Sequence, residues 1–117
     1  MPTSVIHVFH DDPDSLRTGT RLAGRLAEVA TEHGVAVEVF CFGPAQKHLT
    51  RSGDEDVDTF NAQIDALLEQ GIRVGACVNM ARTDGVEDQL RDRGIALHVA
   101  RDEFLRFTLD GATVITF

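Results

Sequence analysis

Apolar residues along the chain alternate between two kinds of spacing. Short continuous apolar blocks, rich in Val, Ile and Phe, are separated by longer stretches in which apolar residues recur every three or four positions. The first kind predicts strands buried on both faces, and the second predicts helices with one apolar stripe. Val5-Ile6-His7-Val8-Phe9 is the first block and predicts strand one. His10-Asp11-Asp12-Pro13-Asp14-Ser15 interrupts it. Pro13 suits a first helical turn, and Asp12 or Asp14 suits the cap before it. Leu16, Leu22, Ala23, Leu26, Ala27 and Ala30 then keep helical spacing up to His33-Gly34, where glycine ends the helix.

The block at 35–42 (Val-Ala-Val-Glu-Val-Phe-Cys-Phe) predicts strand two, stopped by Gly43-Pro44. A short helix over 45–50 and a polar connection over 51–56 follow. Val57, Phe60, Ile64, Leu67 and Leu68 mark a second long helix closed by Gly71. The run Gly71 to Met80 predicts strand three, which carries Cys77 toward its carboxyl end. Residues 81–85 predict a loop, 86–91 a short helix ended by Gly94, and 95–99 strand four. A helix over 101–109, the turn Asp110-Gly111 and a last strand over 112–117 complete the chain. The order β-α-β-α-α-β-α-β-α-β implies a parallel sheet with helices on both faces. The length of 117 residues suits one domain, 1–117, with no repeats and no linker.

Charge narrows the partners. Nineteen acidic residues against eleven Lys and Arg give a formal net charge of −8, which opposes a nucleic-acid partner. No apolar run approaches a membrane span, and Met1-Pro2-Thr3 leads into a strand without the features of a signal peptide. The two cysteines, Cys41 and Cys77, form neither a disulfide framework nor a zinc spacing. A cytoplasmic protein with reduced thiols is expected.

Candidate chemistry gathers where strands end. Ligands of open α/β sheets bind outside the carboxyl ends of the strands, so Cys77 is placed for sulfur or acyl chemistry. The competing reading is a small buried core residue. Cys41 lies near the end of strand two, most simply as a plain strand residue. If both strands run parallel, both sulfurs lie toward one edge, with room for a strand between them. His10 follows strand one, which neighbours strand three in many doubly wound sheets, and a histidine there could hold the thiolate or shuttle its proton. A solvated loop histidine is the alternative. His7 and His98 lie inside strands and read as packed, while His33 and His48 read as surface residues. Gly43-Pro44-Ala45 lacks the G-x-G-x-x-G spacing of a dinucleotide site and reads first as a turn, one that frames a wall beside Cys77. Asp11-Asp12 suggests a phosphoacceptor site, but strand three ends in Cys77 and not Asp, and no lysine follows strand five. The acids read as turn and cap residues.

Several of these pieces together resemble the DsrE/DsrF-like family, specifically the small single-domain members of the sulfur-relay superfamily. They are His10-Asp11-Asp12-Pro13 after strand one, Phe42-Gly43-Pro44 after strand two, and the long helix before Gly71. Val74-Gly75-Ala76-Cys77 with Asn79, and the segment Leu105 to Thr116 with Asp110-Gly111, complete the pattern. The resemblance implies a three-layer α/β/α fold, flavodoxin-like in architecture, with a mainly parallel five-stranded sheet. It implies homo-oligomers, often trimers or hexamers. It also implies a persulfide on the cysteine after strand three, here Cys77, passed from a donor protein to an acceptor, with His10, Gly43, Pro44 and Asn79 as pocket-wall candidates. Persulfide transfer needs an accessible thiolate and no metal or cofactor. Two other functions fit the residues: a non-catalytic oligomeric binding or regulatory module using the strand-end pocket, and a redox protein in which Cys41 resolves Cys77.

Overall fold

The computed structural model describes residues 1–117. Five parallel strands form one sheet: β1 (Thr3–Val8), β2 (Ala36–Cys41), β3 (Arg73–Cys77), β4 (Ala96–His98) and β5 (Thr113–Thr116). Six helices connect them: α1 (Pro13–Ala30), α2 (Gly43–Lys47), α3 (Glu55–Glu69), α4 (Val78–Thr83), α5 (Glu87–Arg93) and α6 (Ala100–Leu109). The α/β class and the five-stranded parallel sheet agree with the sequence reading. Caps fall where the residues predict them. Asp12 accepts a hydrogen bond from the Ser15 amide at 3.0 Å, Pro13 opens α1, and Gly34 closes the helical segment in the left-handed region.

The strand order is β4-β3-β2-β1-β5. This corrects the expected neighbour relation, because β2 separates β1 from β3. Strands one to four advance in one direction, so right-handed crossovers put their helices on one face. The step from β4 to β5 reverses direction and puts α6 on the other. Alternate strand residues show the division. Ile6, Val8, Val39, Cys41, Val74 and Ala76 pack with α1, α3 and α5. Val5, Phe40 and Cys77 pack with Ala100 and Phe107 of α6. The second helical layer is therefore a single helix.

Ion pairs anchor that helix. Arg106 donates to Glu38 on β2 at 2.6 Å and to Glu103 at 2.8 Å, while Arg73 on β3 reaches Glu103 at 3.4 Å. Burial pushes the Glu103 carboxyl up, but the hydrogen bonds and charge of Arg106, with Arg73 beside it, outweigh that and hold it below the ordinary range. Gly75 leaves room for the Phe40 ring, since a Cβ there would stand 3.2 Å from Phe40 Cδ1.

A second correction concerns the end of strand three. The strand stops at Cys77, and residues Val78 to Thr83 form α4 where a longer strand and a loop were expected. Val78 and Ala81 face the larger core, while Met80 packs toward the smaller one.

Candidate functional site

Cys77 is the last residue of β3 and the cap residue of α4, so the chain turns sharply at the thiol. Its main chain has no strand neighbour on the β2 side, where β2 has already given way to α2. Gln46 of α2 takes that place. The Cys77 amide donates to Gln46 Oε1 at 2.9 Å, and Gln46 Nε2 donates to the Cys77 carbonyl at 2.8 Å. Gln46 is only 3 % exposed, so this side chain completes the ladder in a dry setting.

Cys77 is 5 % exposed as a residue, and its side chain lies on the α6 face. Phe42, Met80 and Phe104, each half-buried, pack around the group it belongs to. Across the ladder its register partner is His98 on the edge strand β4. Residues paired across a parallel ladder point to the same side. His98 is therefore the imidazole that the sheet sets beside Cys77, and it is exposed, contrary to the expectation that it packs inside the fold. It belongs to a three-residue strand, too short to show an alternating pattern in sequence.

The other predicted residues are distributed along the same edge. His10 is exposed after β1, two strands from Cys77, with its ring edge-on to Phe9 at 5.1 Å. Gly43 opens α2 with φ +62, and a Cβ there would meet the Phe9 ring, with Cδ2 at 2.6 Å. Glycine is required there by both backbone and space. Pro44 follows it, exposed, and the Ala45 amide donates to the Phe9 carbonyl at 3.0 Å. Asn79 is exposed on the first turn of α4. Gly43, Pro44 and Met80 line a cleft of about 460 Å³ together with Asp11, Lys47 and Arg51. Cys77 is not among the residues that line this cleft; Met80 is common to the cleft lining and to the group of side chains packed with Cys77.

Cys41 is on the opposite face. It pairs in register with Ala76, and it is fully buried in the larger core. Burial pushes its thiol up to about 12, the charge of Arg93 opposing this only in part. Side chains on opposite faces of a sheet point apart and cannot close a disulfide without backbone movement.

Two further histidines depart from their sequence reading. His7 is buried as expected, with Nδ1 3.0 Å from Thr116 Oγ1, but its Nε2 has no partner among the surrounding rings of Phe9, Phe40, Phe42 and Phe104. His48, expected at the surface, keeps only 14 % of its side chain exposed and sets Nε2 3.3 Å from Asp11. No group of three or more His, Cys, Asp or Glu side chains is arranged to hold a metal ion. No helix is long and apolar enough to cross a membrane.

A family comparison matches the chain over residues 3–117 to the DsrE/DsrF-like family. No curated protein matches. Among solved structures, the fold is similar to that of the conserved protein of unknown function BT1422 from Bacteroides thetaiotaomicron, at TM-score 0.76 and 14 % identity, covering 99 % of this chain and 94 % of that one. It is similar to the protein of unknown function MTH1491 from Methanobacterium thermoautotrophicum, at TM-score 0.71 and 20 % identity over 100 % of both chains. It is also similar to the ychN protein from E. coli, at TM-score 0.66 and 19 % identity, covering 99 % of this chain and 97 % of that one.

Proposed function

Because this chain belongs to the DsrE/DsrF-like family, we propose that it is a sulfur-relay protein carrying sulfane sulfur on Cys77. The observation that carries this reading is the position of Cys77. Cys41 and Cys77 both end strands at the carboxyl edge of the sheet, but Cys77 alone lies on the α6 face, held by a side-chain amide on its main chain and packed with the half-buried Phe42, Met80 and Phe104. The reaction forms a bond between Cys77 Sγ and a donor's sulfane sulfur, and the donor's sulfur–sulfur bond breaks with its electron pair. A partner thiolate then attacks the outer sulfur and regenerates Cys77. Neither step oxidises or reduces the pair overall, so no electron carrier is needed.

Near-complete burial of Cys77 favours the second reading, a binding or regulatory module with an unreactive thiol. Mass spectrometry of the intact protein after exposure to polysulfide separates the two. A gain of one sulfur on Cys77, absent in Cys77→Ser, supports the relay. An unchanged mass together with resistance of Cys77 to alkylation supports the module.

Oligomerisation belongs to the same proposal. Leu105 and Leu109 on α6, and Val114 and Ile115 on the edge strand β5, are exposed apolar residues on the thinly covered side of the sheet and its free edge. A second copy would bury them, in the trimers or hexamers that the family resemblance implies.

A further inference from the structure

The cleft lined by Asp11, Gly43, Pro44, Lys47, Arg51 and Met80 has a charge pattern that runs against the rest of the chain. The protein carries eight more acidic than basic residues, and Lys47 is its only lysine. Most of its arginines stand within ion-pair distance of a carboxylate; Lys47, Arg51 and Arg21 do not. Two of these three unpaired cations line this one cleft. The cleft's single carboxylate, Asp11, lies 3.3 Å from His48 Nε2 and is thereby engaged. Met80 lines the cleft and also packs against the group of side chains containing Cys77. Cys77 does not line the cleft, so a donor held there reaches the thiol only with Met80, an adaptable side chain, displaced.

We propose that this cleft selects a small dianionic sulfane donor whose terminal sulfonate departs as sulfite, of which thiosulfate is the simplest. This rests on the persulfide reading of Cys77 and names its donor class. In the step, the Cys77 thiolate, its proton already given to water, attacks the outer sulfur of thiosulfate. The Sγ–S bond forms, the S–S bond of thiosulfate breaks, and its electron pair leaves with sulfite. One thiolate and one dianion give one persulfide anion and one sulfite dianion, so charge and electrons balance. Lys47 and Arg51 hold the sulfonate oxygens before the step and the sulfite after it. A planar guanidinium and a point-like ammonium suit a group with three equivalent oxygens.

The test compares two donors on the intact protein, thiosulfate and polysulfide, because polysulfide has no sulfonate to hold. Loading of Cys77 is followed by mass in the wild type and in Lys47→Gln/Arg51→Gln, whose changed residues are both exposed. The expected result is a loss of about tenfold or more in the thiosulfate rate, with the polysulfide rate unchanged. Equal thiosulfate rates, an equal loss with both donors, or a wild type loaded by polysulfide alone would overturn the cleft assignment and leave the persulfide reading standing. Loading by neither donor would overturn both.

Discussion

Gln46 and Cys77 are joined by two hydrogen bonds, one in each direction, between a side-chain amide and a peptide unit. The pair is thirty-one residues apart in sequence, and it fixes the turn from β3 into α4. Replacing Gln46 with Leu keeps similar bulk but leaves a buried N–H and a buried carbonyl without partners. Each orphaned group costs about 1–3 kcal/mol, so a loss of ~2–5 kcal/mol is expected in denaturant titrations. Gln46→Glu removes the donor and buries a carboxylate, and is expected to cost at least as much. A variant within about 0.5 kcal/mol of wild type, the range of ordinary surface changes, would show that the amide pair does not hold the turn.

The two thiols differ by which face of the sheet they occupy. Cys41 is expected to resist alkylation in the folded protein and to react only on opening, because burial keeps its thiol protonated up to about pH 12. Counting thiols titrated with and without urea checks this. Treatment with a thiol oxidant is expected to produce no intramolecular disulfide. Loss of both free thiols in a monomeric, folded sample would reverse the face assignment and restore a redox role for the pair.

Gly43 and Phe9 meet where β1, β2 and α2 converge. Gly43→Ala places a Cβ against the Phe9 ring and forces a non-glycine residue to φ +62. Left-handed backbone for a non-glycine residue costs on the order of 1–3 kcal/mol, and ring displacement adds to it. Phe9→Leu in the same chain relieves the clash and not the backbone strain, so partial rescue is expected. Thermal melts of the single and double variants measure the two contributions. Full rescue by Phe9→Leu would assign the whole cost to the ring.

Much of this architecture was legible in the chain. The strand over 35–42 was visible because β-branched and aromatic residues run together, and α1 because Asp12-Pro13 and Gly34 mark its ends. The strand order was not legible. Apolar blocks look alike whether β1 stands beside β3 or beside β2, and the reversal that isolates α6 depends on crossover geometry. Helix α4 was hidden because Val78 and Met80 extend the apolar run of β3 and carry no helical stop signal until Gly85. Gln46 had no signal of its own. One polar residue in a five-residue helix shows its partner only once the two segments are packed. Cys77 was found from its place at the end of a strand, and the fold keeps it there.

The apolar strip on α6 carries a prediction about assembly. Leu105→Glu/Leu109→Glu changes only exposed residues, so the chain is expected to fold. The variant is expected to sediment at a lower mass than wild type under the same conditions, because charges in an apolar interface are left unpaired. Identical masses, in either the associated or the monomeric form, would show that copies do not meet through this surface.

His7 supplies a pH dependence whose sign is fixed by its surroundings. Burial among the phenylalanine rings lowers its pKa first, and the charge of His10 adds to this. The unfolded chain titrates near ~6.5, so below that value the unfolded state binds a proton that the folded state refuses. Stability is therefore complete above about pH 7 and falls as pH drops below ~6.5, by up to about 1.4 kcal/mol per pH unit, until the folded value is reached. Glu103 acts in a different window. Its lowered pKa gives stability that is present above the unfolded carboxylate value and lost at more acidic pH. His7→Phe removes the proton while adding one more ring to the cluster. Denaturant midpoints measured from pH 7.5 to 5 are expected to fall in the wild type more steeply than in His7→Phe. Parallel curves would mean that the unpartnered Nε2 is protonated in the folded chain as readily as in the unfolded one.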